Sequence, residues 1–308
     1  MTIATIPARI ELLPQDWDAE LTHLSLLHIS GEEACKYVQG QVTCNVETLA
    51  NGAYTFGAHC DFKGKMWSIF LVAKQHDELF MFMHRSAVEK SLAELKKYGV
   101  FSKVTITDMT DEYTFVGALP QAHIVQTMGL NVDNQIDADS IAIYLPHPVG
   151  RYLIAKRNLA HELSSGSHVW EALNIQAGIA SVQSVTAGEY VPQMVNLQAI
   201  DGAIDFQKGC YMGQEVVART KYLGKNKRAG AILYTQTVTN IPVGAIIEQQ
   251  LGENWRRAGQ VLTSASLAEE NWIFAVLPND IEAGTPLRIK EQPDVLLQMQ
   301  ELPYDLIE

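Results

Sequence analysis

Short runs rich in β-branched, aromatic and aliphatic residues punctuate the first hundred positions, separated by polar stretches and glycines. Leu26 to Ile29, Tyr54 to Ala58, Trp67 to Ala73, Leu79 to Met83 and Val104 to Ile106 are predicted strands. Asp61-Phe62-Lys63-Gly64-Lys65 is a predicted turn, with Gly64 supplying the permissive backbone. Two segments change period. Ser30-Gly31-Glu32-Glu33 and Ser86-Ala87-Val88-Glu89 share the S-x-x-E spacing of a capping box. The first predicts a helix from near Gly31 with Ala34, Tyr37 and Val38 on one face. The second predicts a helix carrying Val88, Leu92 and Leu95 inward and ending at Gly99. This alternation describes an α+β unit on an antiparallel sheet.

A second α+β unit is expected from about Tyr113, with strands at Val116, Ile141 to Leu145 and Tyr152 to Ala155 and a surface loop over Gly129 to Ser140. WEALNIQAGIA, from Trp170, has helical character, with Ala172, Leu173, Ala177 and Ile179 inward. Beyond Arg228 the runs become short and turn-divided: Ala231 to Tyr234, Ala245 to Glu248, Gly259 to Thr263, Trp272 to Leu277 and Leu287 to Ile289. That spacing predicts a small antiparallel barrel. The expected units are 1–110, 111–228 and 229–308, the first two with soft boundaries.

Length and charge narrow the classes. A chain of 308 residues exceeds what one hydrophobic core usually serves. The net charge of −12 disfavours broad attraction to nucleic-acid phosphates. Cys35, Cys44, Cys60 and Cys210 are widely spaced without a CxxC pair, which reads as free thiols in a reducing compartment. The first twenty residues lack a signal-peptide pattern, and no run approaches the ~18 apolar residues of a membrane helix, so a cytoplasmic location without membrane partners is expected.

The chemistry concentrates in Asp205 to Arg228, DFQKGCYMGQEVVARTKYLGKNKR. Cys210 has two readings. Near Lys208 and a helix starting around Gly213 it is an activated thiolate; otherwise it is a small apolar residue in a tight turn. Glu215 and Arg219 have the spacing of an ordinary i, i+4 ion pair. Arg219, Lys221, Lys225, Lys227 and Arg228 form either an anion site or a solvated loop. Metal spacing is poor, His59-Cys60 being the only adjacent pair, and neither a P-loop nor a dinucleotide fingerprint occurs. Trp170 is either core or a stacking wall for a flat ligand. Trp67 and Trp255 read as structural, with Arg256 and Arg257 able to set a cation beside Trp255.

Several motifs carry a family resemblance: KGCYMGQE (208–215), WEALNIQAG (170–178) and YVPQMVNLQ (190–198), with weaker likeness at KYVQGQVT, HCDFKGKMW, LKKYGVFSKVTI and GENWRRAG. With these the chain resembles the YgfZ family, folate-binding proteins related to tRNA modification that share the fold of the glycine-cleavage T-protein. The resemblance implies an α+β, aminomethyltransferase-like architecture: two related domains around a central opening, plus a C-terminal antiparallel β-barrel. It implies tetrahydrofolate or a derivative as cofactor, held by Trp170, Leu24, Gln193, Asn196, Lys208, Glu215 and Arg219, with Cys210 as the reactive thiol. Leu24 stands where the family has a second tryptophan, and Trp17 is the nearby substitute. It further implies iron–sulfur enzymes or their assembly proteins as partners, an indirect link to tRNA, and a downstream influence on replication initiation. In that resemblance, Met66-Trp67-Ser68-Ile69 stands where the aminomethyltransferases carry paired aspartates, which argues against their chemistry. Two rival readings remain: a folate-dependent one-carbon transferase, and a direct tRNA-binding module.

Overall fold

Adjacent residues of the central strands serve two different cores, and that alternation organises the molecule. A computed structural model describes residues 7–163, 166–222, 226–282 and 284–306. In chain order the first elements are β1 Asp18–Glu20, β2 Leu24–Ser30, α1 Ala34–Gln39, β3 Tyr54–Cys60, β4 Met66–Gln75, β5 Glu78–His84, α2 Arg85–Gly99 and β6 Thr105–Asp108. Next come β7 Thr114–Ala118, α3 His123–Met128, β8 Gln135–Ile136, β9 Ser140–Leu145, β10 Arg151–Lys156, α4 Ser167–Gln176 and α5 Gln214–Tyr222. The last six strands are β11 Arg228–Thr235, β12 Ile246–Leu251, β13 Asn254–Ser266, β14 Asn271–Pro278, β15 Leu287–Ile289 and β16 Gln292–Gln300.

Two antiparallel sheets, ordered β3-β4-β5-β2-β6 and β1-β7-β10-β9-β8, share one central core, and β11 to β16 close a barrel. In β4, Ile69, Leu71 and Ala73 enter the central core while Phe70 and Val72 pack under α1 and α2. The second sheet repeats this: Phe115, Ile143 and Leu153 face the centre, whereas Val116, Ala142 and Ile154 pack with Ile124 and Val125 of α3. Side chains alternate across a strand, so burial on both faces demands apolar residues at nearly every position. Helix α4 completes the centre with Val169, Trp170, Ala172, Leu173 and Ile175. No helix among the described residues is long and apolar enough to cross a membrane.

The local expectations need five corrections. Ser30 caps nothing, because Glu33 accepts from the Lys103 backbone N–H at 2.8 Å and Gly31, at φ 113°, lies against the Lys103 carbonyl. The second helix starts earlier than its S-x-x-E spacing suggests: His84 is the cap, its Nδ1 accepting from Ser86 N–H at 3.2 Å. Gly99 is the last helical residue, not a cap, and packs against Tyr37 and Val104. The loop from Gly129 to Ser140 contains β8, which pairs with β9. Ala177 and Ile179 are only half-buried.

Segment 7–20 touches each part. Ala268 and Glu269 of the barrel donate their N–H groups to the Pro7 and Ala8 carbonyls, and Glu270 accepts from Ile10 N–H at 2.9 Å. Strand β1 then forms the edge of the second sheet against β7, before the chain enters the first sheet at Leu24.

His59 in β3 is fully buried, and neither ring nitrogen has a hydrogen-bond partner among the described residues. Burial holds its pKa down at about 4, against about 6.5 in an open chain. The unfolded state therefore binds the proton first. Stability from the neutral ring is complete above pH ~6.5 and is lost as pH falls towards 4, on the order of 3 kcal/mol in total. Urea titrations at stepped pH should show this acid slope, and His59→Phe should flatten it.

Candidate functional site

A cavity of about 80 Å³ opens where the inner sheet faces meet α4. Leu24 from β2, Phe56 from β3, Ile69 from β4 and Trp170 from α4 form its apolar walls. Trp170 is 3% exposed. Its ring lies against Gly117 of β7, where a Cβ would fall 2.5 Å from an indole carbon, so that close approach requires glycine. The Arg151 guanidinium lies 5.1 Å from the ring centroid. Trp170 is thus both core and cavity wall, and Leu24 shares the cavity with it. Trp17 is buried elsewhere in the central core and does not line the cavity.

Polar lining comes from α4 and the end of β5, with Ser181 beyond α4. Glu171, Asn174 and His84 all border the cavity. Glu171 Oε1 lies 2.7 Å from His23 Nε2, with the Glu171 side chain 15% exposed. Burial by itself would raise the Glu171 carboxyl, but His23, with His84 and His168, brings it below the ordinary range. It is a carboxylate at neutral pH. Burial lowers His84 to about 4, so that ring is neutral there. Arg151 is fully buried, donating from Nη1 to the carbonyls of His147 (2.9 Å) and Val149 (3.1 Å) and from Nη2 to Asn174 Oδ1 (3.0 Å). Burial lowers it to about 10, which leaves it charged.

A second, open cleft of about 580 Å³ lies between the start of β3, the 201–207 loop and the end of α5, with Tyr54, Thr55, Phe206, Lys221 and Tyr222 in its walls. Lys221 Nζ sits 3.9 Å from the centre of the Phe206 ring. Tyr54 of the cleft and Phe56 of the central cavity are alternate residues of β3 with ring centroids 6.3 Å apart, so both openings follow one face of that strand.

The remaining sequence-derived candidates lie outside these linings. Cys210 is exposed and lines neither opening. Lys208 turns inward, its ammonium donating to the carbonyls of Val42 (2.8 Å) and Cys44 (2.6 Å). That fixes the loop to the first unit. Asp205 holds the same loop by accepting from Gln207 and Lys208 N–H. Gly213, at φ 81°, packs on Gly64, whereas Gly209 faces open space and has no need to be glycine. Gln193 donates to the Val217 carbonyl, and Asn196 clamps Gly230 of β11 through both N–H and C=O. Asn196 thus ties the second unit to the barrel and Gln193 ties its own segment to α5; neither lines a cavity. Glu215 and Arg219 are exposed on α5, and no ion pair joins them among the described residues. Lys225 of the basic run lies outside the described residues. The cation on Trp255 is Arg288, at 4.1 Å, in place of Arg256 or Arg257.

Arg151, Glu171, Asn174, His23 and His84 were not evident as site residues in the sequence. One signal existed: Glu171 and Asn174, three apart beside Trp170, share a face of a helix.

Comparison with known proteins agrees with this architecture. Residues 19–130 match the GCVT N-terminal domain and residues 226–292 match the YgfZ beta-barrel domain. The fold is similar to an aminomethyltransferase T of the glycine cleavage system from Bartonella henselae, with a TM-score of 0.74 over 95% of this chain and 88% of that one, at 13% identity. A protein of Yersinia enterocolitica named tRNA-modifying protein YgfZ is 38% identical over 92% of this chain and 91% of its own. Its namesake in Colwellia psychrerythraea is 40% identical over 100% of this chain and 99% of its own, and the chain accordingly belongs to the YgfZ family, on the aminomethyltransferase-like fold of two α+β domains and a C-terminal antiparallel barrel.

Proposed function

We propose that this protein binds a reduced folate in the central cavity and acts as an accessory to tRNA modification, not as an aminomethyltransferase. The observation that carries this is the joint lining of one cavity by Trp170 and Leu24 at the meeting of the two sheets. An indole face suits a flat heteroaromatic ring. The cleft along the same face of β3, with Lys221 in its wall, suits the anionic tail of an elongated ligand. At about 80 Å³ the cavity is narrow, so seating a two-ring head displaces wall side chains such as Met83 or Leu24.

Against one-carbon transfer, β4 presents Ile69 to the cavity. The link to tRNA modification rests on the names of the relatives. Iron–sulfur enzymes or their assembly proteins are the proposed clients in the cytoplasm. Its exposure outside both openings supports a macromolecular partner for Cys210 over a folate ring.

Calorimetric titration with tetrahydrofolate tests the ligand. Binding without turnover of methylene- or formyl-tetrahydrofolate, weakened at least tenfold by Trp170→Ala, is the expected result. Absence of binding removes the folate reading, and turnover replaces the accessory role with a transferase. In cells that depend on the protein, Cys210→Ala should lower thiolated tRNA bases; unchanged levels would remove the thiol from the function.

A further inference from the structure

Three polar groups around the central cavity have their hydrogen-bonding roles fixed by partners of their own. Arg151 can only donate, so the Asn174 oxygen must face it, at 3.0 Å. That leaves Asn174 Nδ2, without a partner among the described residues, as a donor on a cavity-lining residue. His84 Nδ1 accepts from the Ser86 backbone N–H, which puts the proton of the neutral ring on Nε2. Glu171 is acceptor-only, and its contact with one nitrogen of His23 leaves lone pairs unused. Glu171 and Asn174 are three apart on α4 and hence neighbours on one helix face, next to the indole of Trp170.

The cavity therefore offers a carboxylate acceptor beside amide and imidazole donors. A planar ring matches this pattern when one edge carries adjacent N–H and NH2 donors followed by a carbonyl acceptor. We propose that Glu171 and Asn174 read the 2-amino-4-oxopyrimidine edge of a heterocycle seated against Trp170. Glu171 accepts from the ring N–H and the exocyclic amine, and Asn174 Nδ2 donates to the ring carbonyl. Pterins and guanine share this edge, so the assignment deepens the folate reading and rests on it for the pterin.

Two substitutions separate recognition from support of the fold. Glu171→Gln keeps the shape but replaces one acceptor oxygen with a donor. Asn174→Asp still accepts from Arg151 while turning an acceptor towards the ligand. Full-length protein is titrated calorimetrically with tetrahydrofolate, its 4-amino analogue and guanosine, with thermal midpoints confirming that each variant is folded. Glu171→Gln should weaken tetrahydrofolate at least tenfold. Asn174→Asp should shift the 4-oxo to 4-amino affinity ratio at least tenfold towards the 4-amino compound, because a site built for one hydrogen-bonding pattern rejects its inverse. If wild type binds tetrahydrofolate and both variants leave affinity and ratio within twofold, the edge assignment falls and the folate reading stands. Binding of guanosine but not tetrahydrofolate, with the same response to Glu171→Gln, supports the edge and overturns the folate. Binding of none of the three by wild type overturns both.

Discussion

Arg151→Met is expected to destabilise the fold by about 3 kcal/mol and to disorder the cavity with it. Arg151 is fully buried, no carboxylate pairs with it among the described residues, and its Nε has no partner. It holds two carbonyls of the 147–149 turn, the Asn174 amide and the face of Trp170 in one cluster. Burying an unpaired cation is costly, and methionine relieves that term. Three oxygens left without donors, at roughly 1 to 3 kcal/mol each, outweigh it. Arg151→Lys should rescue little, since an ammonium can neither fork to carbonyl and amide nor stack as a plane. Urea midpoints measure the loss, and near-ultraviolet circular dichroism follows the environment of Trp170. A variant of wild-type stability with an unchanged tryptophan spectrum would contradict the assignment.

Lys208→Met should cost about 2 to 4 kcal/mol at pH 7 and release the Cys210 loop. The ammonium satisfies two backbone carbonyls, Val42 and Cys44, that apolar methionine leaves unpaired. Burial lowers Lys208 to about 8, opposed by Cys44, Asp205 and Glu47, against about 10.4 in an open chain. Between those values the unfolded chain binds more protons, so the native state gains stability as pH rises from 8 to 10.4. Methionine has no such term. The gap between wild type and Lys208→Met should widen by on the order of 2 kcal/mol from pH 7 to pH 10 in paired urea titrations. Proteolysis between Gly209 and Gly213 should also accelerate in the variant.

Strand positions were legible where burial repeats along the chain. Ile69 to Ala73 and Ile141 to Leu145 are apolar at nearly every position because both faces pack against something. Strand β16 escaped because Val295 and Leu297 alternate with exposed residues and Pro293 stands near its start. Strand β1 has three residues and no period to show. Ser30 and Ser86 misled because identical spacing serves different partners: Lys103 backbone claims Glu33, and His84 takes the cap. The site divides in the same way. Trp170 and Leu24 followed from motif resemblance. The contacts that orient Glu171 and Asn174 come from His23 and Arg151, which other strands and turns deliver, and no local spacing encodes that meeting.

The strap formed by residues 7–20 has a temporal consequence. It is translated before everything it binds: β7 comes about a hundred residues later, and the 268–270 turn of the barrel later still. Until then its β-forming backbone has no partner, and closing loops of that length is slow compared with forming local hairpins. The first sheet, β2 to β6, contains no part of the strap and is complete by Asp108. The molecule can therefore begin folding from its middle and finish by recapturing a segment it made at the outset, which makes that segment the latch on both the second sheet and the barrel.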